Sequence, residues 1–229
     1  MTENTAVYLF TGHYGSGKTE AAVNFARLLR IRKPEGRIAL LDMDIVNPFF
    51  RSADAEEFLR EYGIRLEVPL YANTNVDMPS LPGIMGALIR DPDWDVVIDV
   101  GGDDMGARAV GCYSEDILKR ENFRYFVVNP RRPFTDTPES AAEIFDEIQA
   151  VACVPASGIV NNANLLGETT LELIAEGLDF SRRLGALRNL PVAYSCVPEE
   201  LAEEAVRSGI PGLGENDVIP LRRTVKRLF

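Results

Sequence analysis

Ala6-Val7-Tyr8-Leu9-Phe10-Thr11-Gly12-His13-Tyr14-Gly15-Ser16-Gly17-Lys18-Thr19 is the stretch on which the reading of this chain turns. Its first six residues form a short apolar run that ends at a glycine, the pattern of a buried strand. From Lys18 onward the pattern is helical, so Gly12, Gly15 and Gly17 fall where a strand must turn tightly into a helix. Such a junction can cradle phosphate. Glycine permits backbone angles that aim consecutive N–H groups at one anion, and the positive end of the following helix adds to the attraction. The octapeptide from Gly12 to Thr19, with His13, Tyr14 and Ser16 between the glycines, fits G-x-x-x-x-G-K-[ST] at every fixed position. Lys18 is therefore expected to span the β- and γ-phosphates of a nucleoside triphosphate, and the Thr19 hydroxyl to ligate Mg²⁺. The alternative is a glycine-rich turn with a chance lysine, which the strand–loop–helix context disfavours.

Composition fits that reading and narrows the setting. The 229 residues suffice for one large α/β domain, 1–229, with a substantial core. No apolar run approaches the length needed to cross a bilayer. Met1-Thr2-Glu3-Asn4 lacks the features of a signal peptide, so a cytoplasmic protein is expected. Cys112, Cys153 and Cys196 are far apart and odd in number, which argues against a disulfide framework, and no CxC or CxxC pair suggests a metal site. A net charge of −11 would repel a polyphosphate backbone, so nucleic acid is not an expected partner.

Short apolar runs alternate with helical patterns along the whole chain. Strands are expected at 6–11, 37–42, 65–68, 96–100, 125–128, 158–161 and 192–196, and helices at 18–32, 52–62, 84–90, 114–120, 138–150, 169–184 and 199–208. The expected fold class is α/β, a single doubly wound and mostly parallel sheet of about seven strands with helices on both faces. The longest irregular piece, 71–82, is polar and proline-punctuated, the kind of loop that often carries function.

Ligands of such sheets sit beyond the carboxyl ends of the strands, so acidic residues there matter most. Two clusters qualify: Asp42-Met43-Asp44, and Asp99-Val100-Gly101-Gly102-Asp103-Asp104. An Asp closing an apolar strand can hold Mg²⁺ directly or through water, and Gly102 could let a backbone N–H reach the γ-phosphate. The competing role for Asp42 and Asp99 is a helix cap or solvated turn, which Asp favours anyway.

Taken together, these segments resemble the MinD/ParA-type ATPases of the SIMIBI class of P-loop proteins. Gly12–Thr19 stands at that family's deviant P-loop, Asp42-x-Asp44 at its first switch, and Asp99-Val-Gly-Gly-Asp103 at its second. Asn161 is similar to the strand-end Asn that reads adenine, and Val197-Pro198 to the segment closing over the base. The resemblance implies that Asp44 positions the hydrolytic water, that Asp42 and Asp99 serve Mg²⁺ with Thr19, and that Lys18 acts in ATP hydrolysis. The guanine-selecting NKxD pattern is replaced by Asn161-Asn162-Ala163-Asn164, so ATP is expected rather than GTP. The family's signature lysine, which crosses a nucleotide-sandwich homodimer, falls at His13, the only histidine of the chain. Imidazole is shorter and mostly neutral near pH 7. Either His13 substitutes weakly, or another cation such as Arg51 or Arg108 does the work, or His13 merely packs in the loop.

The last ten residues, Pro220-Leu-Arg-Arg-Thr-Val-Lys-Arg-Leu-Phe229, can be read as a helix with Leu221, Val225, Leu228 and Phe229 on one face and Arg222, Arg223, Lys226 and Arg227 largely opposite. That pattern resembles the membrane-targeting tail of MinD proteins. The alternative is a short terminal helix docked on the domain. Two function classes follow: an ATP-driven switch acting on an unidentified protein client, or a small-molecule kinase or ligase of the dethiobiotin synthetase type with 71–82 as its lid.

Overall fold

The computed structural model describes residues 4–44, 55–69, 83–102 and 104–224. The strands are β1 (Val7–Thr11), β2 (Arg37–Met43), β3 (Arg65–Glu67), β4 (Trp94–Val100), β5 (Asn122–Val128), β6 (Gly158–Asn161), β7 (Val192–Pro198) and β8 (Val218–Leu221). The helices are α1 (Lys18–Arg32), α2 (Glu56–Glu61), α3 (Gly83–Arg90), α4 (Asp104–Gly111), α5 (Ser114–Leu118), α6 (Pro138–Val151), α7 (Leu171–Arg188) and α8 (Glu199–Arg207). All pairings are parallel, in the order β3-β2-β4-β1-β5-β6-β7-β8. This is the α/β P-loop NTPase fold, with eight strands rather than about seven.

Alternation along the central strands explains why both faces carry helices. In β1, Tyr8 and Phe10 pack with α1 and Leu59 of α2, whereas Val7 and Leu9 pack with Met85, Leu88 and Ile89 of α3 and Val110 of α4. Phe25 of α1 sits among Tyr8, Phe10, Tyr125 and Tyr194. Burying that ring contributes about 1.5–3 kcal/mol. From β1 the chain winds outward to β3, returns through β4 and then proceeds outward on the other side from β5. The winding thus reverses beside β1, which makes the carboxyl end of that strand a crevice for a ligand.

Two parts of the fold differ from the sequence expectation. Pro220 and Leu221 do not begin a helix; they lie in β8, an edge strand, where a proline without an N–H breaks no ladder. Beyond it, Arg222 exchanges two hydrogen bonds with the Asn24 side chain, 3.0 and 2.8 Å, and Thr224 N donates to Glu20 Oε1 at 2.7 Å. The chain after β8 therefore runs back along α1 toward its first turn. Val225, Lys226, Arg227, Leu228 and Phe229 lie outside the described residues, as do Arg51 and the 71–82 loop. The second difference is α4, a helix not among those expected from the sequence.

Candidate nucleotide-binding site

Between Thr11 and Lys18 the backbone forms a tight loop over the end of β1. Gly17 adopts φ +83° at the N-cap of α1, where a glycine offers no side chain to the first-turn amides. Ser16 N donates to His13 O at 3.0 Å, closing the turn. A Cβ on Gly12 would stand 2.5 Å from Val127 O, so the loop lies directly on β5. The Ser16 hydroxyl is buried with no partner among the described residues.

Lys18, Thr19 and Asp44 are all buried, and Lys18 Nζ lies 3.5 Å from Asp44 Oδ2. Asp42 and Asp99 are wholly buried and are register partners on β2 and β4. Leu40 and Val97, two residues earlier, pack on the α1 face, so both carboxylates belong to that face too. Asp42 Oδ1 accepts from Asp44 N at 2.9 Å, which fixes the turn leaving β2. A Cβ on Gly102 would meet Gly12 O at 3.0 Å and Tyr14 N at 3.1 Å, so the segment leaving β4 rests on the glycine loop itself. The structure thus brings the two acidic clusters and the glycine loop to one place.

One residue of this place was not anticipated. Asn162, just past β6, donates from its backbone to Val128 O at 2.8 Å and from Nδ2 to Ser16 O at 2.6 Å. Its amide lies so close that a Cβ on Gly17 would collide with it, while its Oδ1 is buried without a partner among the described residues. Asn161 faces the other way. Its Nδ2 donates to Ile174 O at 3.1 Å and Ser195 Oγ at 3.3 Å, and its Oδ1 accepts from Ala163 N at 3.1 Å. Alternation in β6 is the available signal: of two successive asparagines only one can face α7, leaving the other for the loop. Pro198 is buried at the junction of β7 and α8.

His13 Nδ1 lies 3.0 Å from Tyr14 O, and its ring centre is 6.1 Å from that of Phe134 in the β5–α6 connection. Phe134 is 68% exposed, with φ +68°, an uncommon conformation for a bulky residue. Tyr14, within the glycine loop, is 57% exposed. Arg108 is exposed on α4. No helix among the described residues is long and apolar enough to cross a membrane.

No protein-family model and no curated protein sequence matches the chain. Solved structures do match. The chain is similar to chloroplast FtsY from Physcomitrella patens, at 16% identity over 98% of this chain and 64% of that one, with a TM-score of 0.55. It is similar to the signal recognition particle 54 kDa protein from Aeropyrum pernix K1, solved in complex with GDP, at 14% identity over 85% and 42% of the two chains and a TM-score of 0.53. A ParA family ATPase from Chlorobium tepidum TLS matches at 16% identity over 90% of each chain, with a TM-score of 0.50. This chain therefore spans less than two thirds of the FtsY structure's length. Likeness at these identities speaks for the fold, and the fold is that of the P-loop NTPases.

Proposed function

We propose that this chain is an Mg-ATP-dependent switch of the MinD/ParA kind, which binds and slowly hydrolyses ATP and thereby changes the surface offered to a protein client. The observation that carries this reading is the buried Lys18–Asp44 pair lying with Asp42 and Asp99 around the glycine loop. The residues suit the ligand. The loop backbone and the uncapped start of α1 would hold the phosphates, and Lys18 would exchange Asp44 for phosphate oxygens. Thr19, Asp42 and Asp99 form a hard oxygen donor set suited to Mg²⁺, which when bound would neutralise developing phosphate charge. Asp44, released from Lys18, would orient the attacking water. Because Gly102 rests on the glycine loop and α4 follows it, a change at the phosphates has a short mechanical route outward.

ATP is preferred over GTP in this reading because the chain carries Asn161-Asn162-Ala163-Asn164 in place of NKxD. Calorimetry with Mg-ATP and Mg-GTP on wild type and Lys18→Ala tests it. Wild type should bind ATP more tightly than GTP, and Lys18→Ala should lose most ATP affinity. Wild-type affinity in Lys18→Ala would remove the phosphate site from this loop, and equal binding of GTP would remove the base preference.

A further inference from the structure

Two exposed cysteines that are distant in sequence are neighbours in the fold. Cys112 follows α4 directly, with Sγ 3.7 Å from Arg108 O, and Cys153 lies just after α6. Cys153 Sγ stands 3.0 Å from where a Cβ on Gly111 would be. Adding one peptide step places it at most about 8 Å from the Cys112 Cα. Val110 and Val154, beside the two cysteines, belong to one buried cluster, so the backbone around both is anchored together. Cys196 is different: it is fully buried, and desolvation pushes its thiol pKa up.

We propose that Cys112 and Cys153 form a reversible thiol–disulfide pair, oxidised by exchange with a low-molecular-weight disulfide such as glutathione disulfide. One cysteine thiolate attacks a sulfur of glutathione disulfide, forming a mixed disulfide and expelling a glutathione thiolate. The second cysteine thiolate then attacks the protein-bound sulfur, closes the Cys112–Cys153 bond and expels the second glutathione. The two thiol protons end on the two expelled thiolates, and the protein is oxidised by two electrons as the disulfide is reduced. The bridge would tie the end of α4 to the α6–β6 connection. At its other end, α4 is seated on the strand end that touches the glycine loop: a Cβ on Gly106 would come 2.5 Å from Gly101 Cα, and Gly102 lies on Gly12 and Tyr14. Closing the bridge therefore holds a helix that must move if the second acidic segment responds to nucleotide. This coupling rests on the nucleotide reading above; the bridge itself does not.

The test is intact-mass and peptide mapping after incubation of the full chain with glutathione disulfide, in wild type, Cys112→Ser and Cys153→Ser. Wild type should lose two hydrogens and yield a linked Cys112–Cys153 peptide, reversibly with dithiothreitol, while each variant should stop with one bound glutathione. Glutathione on both cysteines of wild type, or bridges between chains, would overturn the pair. Binding of a fluorescent ATP analogue should differ by about fivefold between bridged and reduced wild type, a modest allosteric coupling. Equal affinities would overturn the coupling while leaving the pair. Absence of binding in the reduced protein would overturn the nucleotide reading, and the coupling with it, while the mass result still decides the bridge.

Discussion

Replacing Asp44 by asparagine isolates the energetics of the buried pair. Lys18 Nζ and Asp44 Oδ2 are 3.5 Å apart, with side chains only 8% and 5% exposed. Two unit charges at that distance attract by about 5 kcal/mol at an effective dielectric of about 20. Removing one partner leaves Lys18 buried without its paired carboxylate, a loss of about 3–5 kcal/mol. For a domain of this length, about 3 kcal/mol corresponds to a fall in Tm of about 6–12 °C. The amide remains isosteric, so packing is kept and the loss reports charge. Nucleotide should reverse the ranking, because ATP phosphates supply the negative charge that the substituted amide lacks and no longer compete with a carboxylate for Lys18. Asp44→Asn should then bind Mg-ATP at least as tightly as wild type, hydrolyse it far more slowly, and recover most of the lost Tm at saturating Mg-ATP. Calorimetric melting of wild type, Asp44→Asn, Lys18→Met and the double variant, each with and without Mg-ATP, measures all of this. A melt of Asp44→Asn within about 1 °C of wild type, or a deficit that Mg-ATP leaves untouched, would refute the reasoning.

Asn162→Ala removes the bond to Ser16 O and should cost about 1–2 kcal/mol in denaturant unfolding while weakening ATP binding. Asn161→Ala strips three internal bonds and should destabilise more, which a side-by-side urea titration of the two variants checks. Stability should fall as pH rises through 9.0 and 10.0, the ordinary values of the Cys196 thiol and Tyr125 phenol, since burial raises both folded-state pKa values and only the unfolded chain releases those protons readily. Urea midpoints from pH 8 to about 10.5 should show that slope, and Cys196→Ala should lessen it. His13→Lys should strengthen ATP-dependent self-association in sedimentation velocity, because a longer, fully charged side chain can reach a partner's phosphates; a tight wild-type dimer indifferent to His13 would refute this.

The strand–glycine–helix junction was legible because three local signals agree there: the apolar run, the glycines and the helix-forming residues after Lys18. Accordingly α1 spans Lys18–Arg32, the expected bounds. Where local and tertiary signals conflict, the reading failed. β8 was hidden because Pro220 argues against a strand unless the strand lies at an edge, and edges are a property of the assembled sheet. The helix α7 runs on to Arg188, beyond the expected end at Leu184, and Gly185 within it lets Leu190 O approach closely. Asp42 and Asp99 were legible as strand ends, but their pairing as register partners required the strand order. Asn162 was passed over because its partner, Ser16 O, is 146 residues away.

That long reach has a consequence for how the protein comes into being. The glycine loop is made early in the chain, yet β1 beneath it must pair with β4 and β5, and the loop itself is tied by an asparagine beyond β6. Every neighbour of the loop in the sheet is non-local, a topology that folds slowly and late. On a ribosome, the glycine loop therefore lacks this tie until Asn162 has emerged. A nucleotide reaching the nascent chain before Asn162 appears would meet an incomplete loop; once β6 is in place, bound nucleotide would favour completion of the sheet.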